Sequence, residues 1–320
     1  MHCYPYKFTP IYIEKIWGGR SLQRLFGRDL PDDTRIGESW ELADLEEGVS
    51  RVANGPEAGT SLTDLTAELG GQLLGPAKPM ENGRFPLLLK LLDANDILSL
   101  QVHPDAKAVR EIGPAAALKT ECWYYVESRD GYIYRGVKPN VSPEQFREAI
   151  ENDTVEQLTI KENVATGDFH FLPAGTVHAI GPGLVVAEVQ TPSDTTYRVT
   201  DWGRGREIHI ERSMQCIHFN PPEPNVPGQS GDTLLVTDYF TVAKRTIEPD
   251  TPWPAPNGRC TALMFLRAGG RTEIRHRGQT APRVEVSAGD TVLLPAALQE
   301  PVVVSQQGAD VLEITLPEGA

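Results

Sequence analysis

Hydrophobic residues along this chain come in short bursts, and few of them recur at helical spacing. Residues 85–92, 123–126, 184–189, 234–236, 261–266 and 302–304 are apolar runs set among 29 Gly and 26 Pro. Runs this short, bounded by turn formers, predict strands, and their rhythm is that of an antiparallel, mainly β protein with a few short helices. Three stretches read as helices instead. Residues 61–74 follow Thr60 and Ser61 as possible caps, and residues 106–112 form a second helix. The third, 142–152, has Ser142 at the cap, Pro143 at the first helical position and Gln145 at the third, the pattern of a capping box.

Residues 221–231 are rich in Pro and Gly, lack apolar periodicity and separate two strand-rich regions. They read as a linker and place a domain boundary between 226 and 227, giving units 1–226 and 227–320. Beyond it the chain repeats itself. Gly289, Asp290 and Pro295 stand at the offsets of Gly167, Asp168 and Pro173, with Ala297 in place of Gly175 and Glu300 in place of His178. The repeat predicts two β units of one type, and the exchange of His for Glu predicts that only the first holds a metal.

The spacing Gly167-x5-Pro173-x-Gly175-x2-His178 carries the chemistry. Residues 168–172 form a short strand, Pro173 fixes one turn dihedral, Gly175 permits another, and His178 opens the next strand. This spacing resembles the second motif of the cupin β-barrels, in which such a His faces inward as a metal ligand. Upstream, Gln101 and His103 stand at i and i+2, which on a strand share a face, and Glu121 offers a carboxylate from a neighbouring strand. Two imidazoles, a carboxylate and an amide oxygen suit Zn²⁺ most readily, although Fe²⁺, Mn²⁺ or Co²⁺ accept the same donors. His170, His209, His218 and His276 lie at no such offset and read as structural.

Cations accompany these donors. Lys119 is two residues from Glu121 and therefore shares its face, which puts an ammonium beside the metal. Lys90 lies inside an apolar run, where its charge needs an anion such as a phosphate. Asp194 and Arg198 follow the strand that continues from His178 and are placed to close the mouth of the site.

The formal net charge of −14 excludes nucleic acid and anionic membrane as bulk partners. Four dispersed cysteines, without a CxxC pair, read as free thiols in a reducing cytoplasm. The first residues lack the basic and apolar regions of an export signal, and no apolar run approaches the ~20 residues of a membrane span.

Several longer segments, in order, resemble the type I phosphomannose isomerases in their short bacterial form. They include Trp17-Gly18-Gly19, Gly37-Glu38-Ser39-Trp40-Glu41, the run ending at Asp93-Ala94, Ser99-Leu100-Gln101-Val102-His103-Pro104-Asp105, Lys119-Thr120-Glu121-Cys122-Trp123, the His178 motif, and Ser193-Asp194 through Arg198 to Arg204. The resemblance implies paired cupin (jelly-roll) β-barrels and one Zn²⁺ held by Gln101, His103, Glu121 and His178. It also implies reversible isomerisation of mannose 6-phosphate and fructose 6-phosphate through an enediol. Arg198 falls on the family's catalytic arginine, and Lys119 on the lysine before the metal-binding Glu. Lys90 and Ser99 fall on substrate contacts, with Asp194 beside them. The proton-transferring base is Lys119, metal-bound Glu121 or a zinc-bound hydroxide.

Two departures stand out. Longer members follow the ligand His with Ala-Tyr, where this chain has Ala179-Ile180, and they carry a helical insertion for which there is no room here. An iron-dependent oxygenase and a non-catalytic sugar-phosphate sensor are the other readings of a cupin site. A phosphosugar partner, a cytoplasmic setting and a monomer or weak homodimer complete the expectation.

Overall fold

The apolar runs at 85–92 and 184–189 are nearly continuous because both faces of their strands, Leu88–Ala94 and Leu184–Gln190, are buried. In the computed structural model, which describes residues 1–220, 222, 226–278 and 280–318, the N-terminal half forms two antiparallel sheets. The larger orders Ile11–Gly19, Ile36–Leu42, Leu88–Ala94, Leu184–Gln190, Glu121–Ser128 and Phe169–Leu172. The smaller orders Tyr197–Thr200, Leu100–Val102, His178–Ile180, Tyr132–Val137 and Thr159–Asn163.

The C-terminal half repeats most of this arrangement, without counterparts, among the described residues, of Ile11–Gly19 and Tyr197–Thr200. Its larger sheet runs Thr233–Val236, Thr241–Ile247, Ala309–Thr315, Thr261–Ala268 and Thr291–Leu294, the spatial order of the strands from Ile36–Leu42 onward in the first half. Its smaller sheet, Trp253–Pro254, Val302–Ser305, Thr272–Arg275 and Arg283–Val286, matches the four from Leu100–Val102 onward. Phe169–Leu172 and Thr291–Leu294 each begin two residues after the Gly of a Gly-Asp pair and end just before a Pro, as the sequence repeat requires.

Side-chain alternation divides the first half into an apolar and a polar interior. On Leu184–Gln190, Val185, Ala187 and Val189 join the core shared with the C-terminal half, through Leu235, Val242, Met264, Leu312 and Ile314. The opposite face begins with Leu184 and Val186, which pack with Leu92, Tyr125, Ile133 and Ile180 inside the sheet pair, and ends with buried Glu188 and Gln190. The neighbouring strands change character at the same level, at Lys90 and Glu121. The polar end holds the site.

One strand crosses between the halves. Tyr6–Lys7 pairs with Thr291–Leu294, Tyr6 opposite Leu293, and Lys7 Nζ lies 2.7 Å from Asp290 Oδ2. The pairing partners are nearly the length of the chain apart, and two residues carry no strand signal of their own.

The expected single helix over 61–74 is two helices, Leu62–Leu69 and Gly71–Leu74, because Gly70 takes a positive φ of 49° and breaks the run. Ala106–Ile112 is capped by Asp105, and Pro143–Glu151 has the full capping box on Ser142 and Gln145. Ser21–Phe26 and Ile210–Cys216 are further helices that the apolar pattern did not predict. Residues 221 and 223–225 of the expected linker lie outside the described residues. Among the described residues no helix is long and apolar enough to cross a membrane.

Candidate metal centre and its cleft

Three strands bring the sequence-predicted donors together, with His103 one residue past the end of Leu100–Val102 rather than on the expected strand. His178 lies directly opposite Gln101 in the antiparallel register, and Gln101 lies opposite Arg198 on its other side. The larger sheet supplies Glu121, paired with Gln190. Gly175, at a φ of 89°, makes the turn before His178, and its N–H donates to the His103 carbonyl at 2.9 Å. A Cβ at Gly175 would stand 2.6 Å from the His218 ring, so this position requires glycine twice over, for space and for φ.

The donor atoms of His103, Glu121 and His178 lie within 4.8 Å of one another, and all three residues are buried. His178 Nε2 is 3.2 Å from Glu121 Oε1, and His103 Nε2 is 3.5 Å from Glu121 Oε2. The Gln101 amide is 3.3 Å from His178 Nε2, and rotating that amide presents its oxygen to the same point. Each imidazole donates from Nδ1 to a backbone carbonyl, His103 to Thr195 at 2.9 Å and His178 to Thr176 at 2.8 Å, which leaves both Nε2 lone pairs facing inward. Burial holds His103 well below the ordinary imidazole value and His178 at about 4, so both rings are neutral. His103 Nε2 and both Glu121 oxygens are buried without a hydrogen-bond partner, although the Lys119 ammonium stands 3.1 Å from Oε2 as an ion pair. Neutral imidazoles, orphaned acceptors and a buried carboxylate converging on one point fit a metal ion.

A cleft of about 370 Å³ opens beside these donors, lined among others by Ser99, Gln101, Lys119, Asp194 and Arg198. Lys90 reaches its wall, but its charge is already met. Its Nζ lies 3.1 Å from Glu188 Oε1 and 3.6 Å from Glu38 Oε2, and these carboxylates also accept from the indoles of Trp123 and Trp40. Burial opposes the Lys90 charge, yet Glu188, Glu38 and Glu121 outweigh it and hold Lys90 above the ordinary lysine value. Its burial therefore does not require a phosphate. Glu38 and Glu188 were not among the expected site residues, although a glutamate inside the apolar run 184–189 is the same anomaly as a lysine inside 85–92. The two anomalies sit opposite each other in the sheet.

Asp194 is exposed at the rim, Ser99 is buried in the wall, and Arg198 donates from Nη1 to the Glu207 carbonyl at 2.7 Å. Ile180 packs in the apolar end of the interior. In the C-terminal half, the pair corresponding to Gln190 and Glu121 is Thr315 and Thr261. Glu300 is an exposed residue paired with Arg277 at 2.7 Å.

Sheet pairs of this order, with a buried His/Glu/His cluster at one end, define a cupin-type enzyme scaffold with donors suited to a metal. Residues 6–129 match the catalytic domain of type I phosphomannose isomerase. A mannose-6-phosphate isomerase of Streptococcus mutans is 40% identical over 253 residues, 73% of this chain and 78% of that protein. The crystal structure of the Bacillus subtilis mannose 6-phosphate isomerase superposes with a TM-score of 0.85 at 29% identity, covering 98% of this chain and 99% of that one. A zinc-bound mannose 6-phosphate isomerase shares the fold at 17% identity, with a TM-score of 0.77 over 98% of this chain and 99% of that one. The chain belongs to the type I phosphomannose isomerase family and is an isomerase, not an oxygenase or a purely binding protein.

Proposed function

We propose that the chain interconverts mannose 6-phosphate and fructose 6-phosphate through an enediol, with one Zn²⁺ held by Gln101, His103, Glu121 and His178. The observation that carries this reading is the buried cluster of His103, Glu121 and His178, in which His103 Nε2 and both Glu121 oxygens lack a hydrogen-bond partner, next to a cleft lined by Gln101 and Lys119. Moving a carbonyl from C1 to C2 requires a proton to leave C2 and one to reach C1 while charge collects on O1 and O2. When bound, the ion supplies positive charge that stabilises those oxygens.

The protein's own groups do the rest. Lys119, beside Glu121 and in the cleft lining, carries the proton between C2 and C1. Glu121, the other candidate for proton transfer, is buried beneath the sugar as a ligand. Arg198 has a buried Nε with no acceptor and donates to the oxygens on which charge develops. Ser99 and Asp194 meet sugar hydroxyls, and Lys90 fixes Glu188 in the wall while remaining within reach of the substrate.

In this reading residues 1–226 are the catalytic unit and 227–320 a metal-free companion to which Tyr6–Lys7 is stitched. The four free cysteines support a cytoplasmic setting, and the assembly proposed is a monomer or weak homodimer. Isomerisation in D₂O tests the chemistry. Deuterium at C2 of the recovered mannose 6-phosphate is expected, and complete conversion with no solvent hydrogen at C1 or C2 would count in favour of a hydride shift.

A further inference from the structure

Charge is distributed unevenly along the cleft. Near its floor, Lys15 and Lys90 face Glu38 and Glu188, with Lys15 Nζ 2.9 Å from Glu38 Oε1, and Lys119 meets Glu121. Around Arg198, across the strand from Gln101, the guanidinium groups are less completely paired. Arg198 makes no ion pair among the described residues, Arg204 and Arg206 share the carboxylate of Asp201, and Arg204 has a second, more exposed partner in Asp96 at 3.9 Å. Burial and then the neighbouring Arg206 both work against the Arg198 charge.

The loop between Tyr197–Thr200 and Ile210–Cys216 carries Arg204 and Arg206 to this place. Trp202, Gly203 and Gly205 take φ values of 55°, 74° and 82°, which turn the chain back on itself. His209 then closes onto Arg198, its N–H donating to the Arg198 carbonyl at 2.8 Å and its Nδ1 accepting from the Arg198 N–H at 3.0 Å. Trp202 Nε1 and Arg204 Nη1 pin the loop to the Leu98 and Ile97 carbonyls at 2.6 and 2.7 Å, just ahead of Ser99. Arg206 is thereby set in the cleft lining beside Arg198. Asp201, itself 2% exposed, grips Arg206 at Nε (2.9 Å) and Nη2 (2.5 Å), which leaves Nη1 and one Nη2 hydrogen for another acceptor.

A hexose 6-phosphate carries its reacting carbons and its phosphate at opposite ends. With C1 and C2 at the His/Glu cluster and Arg198 at O1 and O2, the phosphate needs a separate donor in the cleft lining, and Arg206 offers its unpaired hydrogens there. We infer that Arg206, oriented by Asp201, is the phosphate anchor of this cleft and sets its preference for phosphorylated sugars. This deepens the isomerase reading and rests on it for the identity of the sugar. A planar fork held by a buried carboxylate suits phosphate oxygens better than a mobile ammonium.

The test compares the zinc-loaded wild type with Arg206→Ala and Arg206→Lys. It measures kcat and KM for mannose 6-phosphate and, separately, the Kd for inorganic phosphate by calorimetry. In Arg206→Ala, KM and the phosphate Kd should both rise by ~10- to 100-fold, the worth of a hydrogen bond to a charged group, while kcat changes far less. Arg206→Lys should recover part of that loss. Wild-type KM and phosphate affinity in Arg206→Ala, or a fall in kcat alone, would overturn the assignment. Should the wild type bind phosphate without turning over mannose 6-phosphate, the isomerase reading fails, and the phosphate Kd of Arg206→Ala alone decides the anchor.

Discussion

Replacing Lys90 with Met removes a buried ammonium while keeping most of its stem, and it leaves Glu38 and Glu188 facing each other. Burial alone would raise the Glu38 carboxyl, but Lys90 and then Lys15 hold it at about 2 against an ordinary 4.5. At ~1.4 kcal/mol per unit, that depression corresponds to about 3 kcal/mol of folding stability, with Lys90 the largest single favourable contributor and Lys15 the next. Breaking a buried pair by removing one partner costs a similar ~3–5 kcal/mol. The sign follows from the direction of the shift. A carboxyl lowered in the folded state adds stability that is present above about pH 4.5 and lost as pH falls towards about 2. Lys90→Met should therefore be destabilised by about 3 kcal/mol in urea denaturation at about pH 7.5, with a clearly smaller deficit at about pH 4, where the stranded carboxylates take up protons. A variant within ~0.5 kcal/mol of wild type, or an equal deficit at both pH values, would refute the network. A change confined to KM would make Lys90 a substrate contact alone.

Lys119→Met should keep its metal and lose ~100- to 10,000-fold in turnover, and near-wild-type turnover with full metal content would remove Lys119 from proton transfer. Gly175→Ala forces a Cβ onto the His218 ring at a φ of 89° and should cost about 2 kcal/mol or more in thermal unfolding. Adding His218→Ala should recover the steric part and not the backbone part; full recovery would show that the φ carries no strain. Trp123→Phe withdraws the 3.0 Å indole hydrogen bond from Glu188 and should lower stability by ~1–2 kcal/mol, and an unchanged denaturation midpoint would mean that Glu188 finds another donor.

The parts of the fold set by local pattern were legible in the sequence. The capping box at Ser142, the strand and turn from Gly167 to His178, and its copy from Gly289 all depend on residues within about one turn or strand of each other. The shared face of Gln101 and His103 was legible for the same reason, since i, i+2 spacing decides which side chains share a face, whereas Glu121 and His178 were expected beside them from motif offsets and the family resemblance. What escaped is set by pairing between distant segments. A lysine in an apolar run reveals a buried charge but not its partner; sheet register supplies Glu188 and Glu38 where an external phosphate had been expected. The pairing of Tyr6–Lys7 with Thr291–Leu294 and the convergence of Arg204 and Arg206 on Asp201 arise in the same way. The break at Gly70 is a different case. A glycine within a helical pattern is usually tolerated at a cost of ~1 kcal/mol, and only the local φ shows that the run stops there.

The most direct measurement is interconversion of mannose 6-phosphate and fructose 6-phosphate by the purified chain as isolated, after chelation and after Zn²⁺ is returned, with bound metal counted alongside in the wild type and in His178→Ala. The account predicts turnover that disappears with the metal and returns with zinc at one ion per chain, and a His178→Ala variant that neither retains the ion nor turns over. Full activity in the metal-free protein, or in His178→Ala, would contradict it.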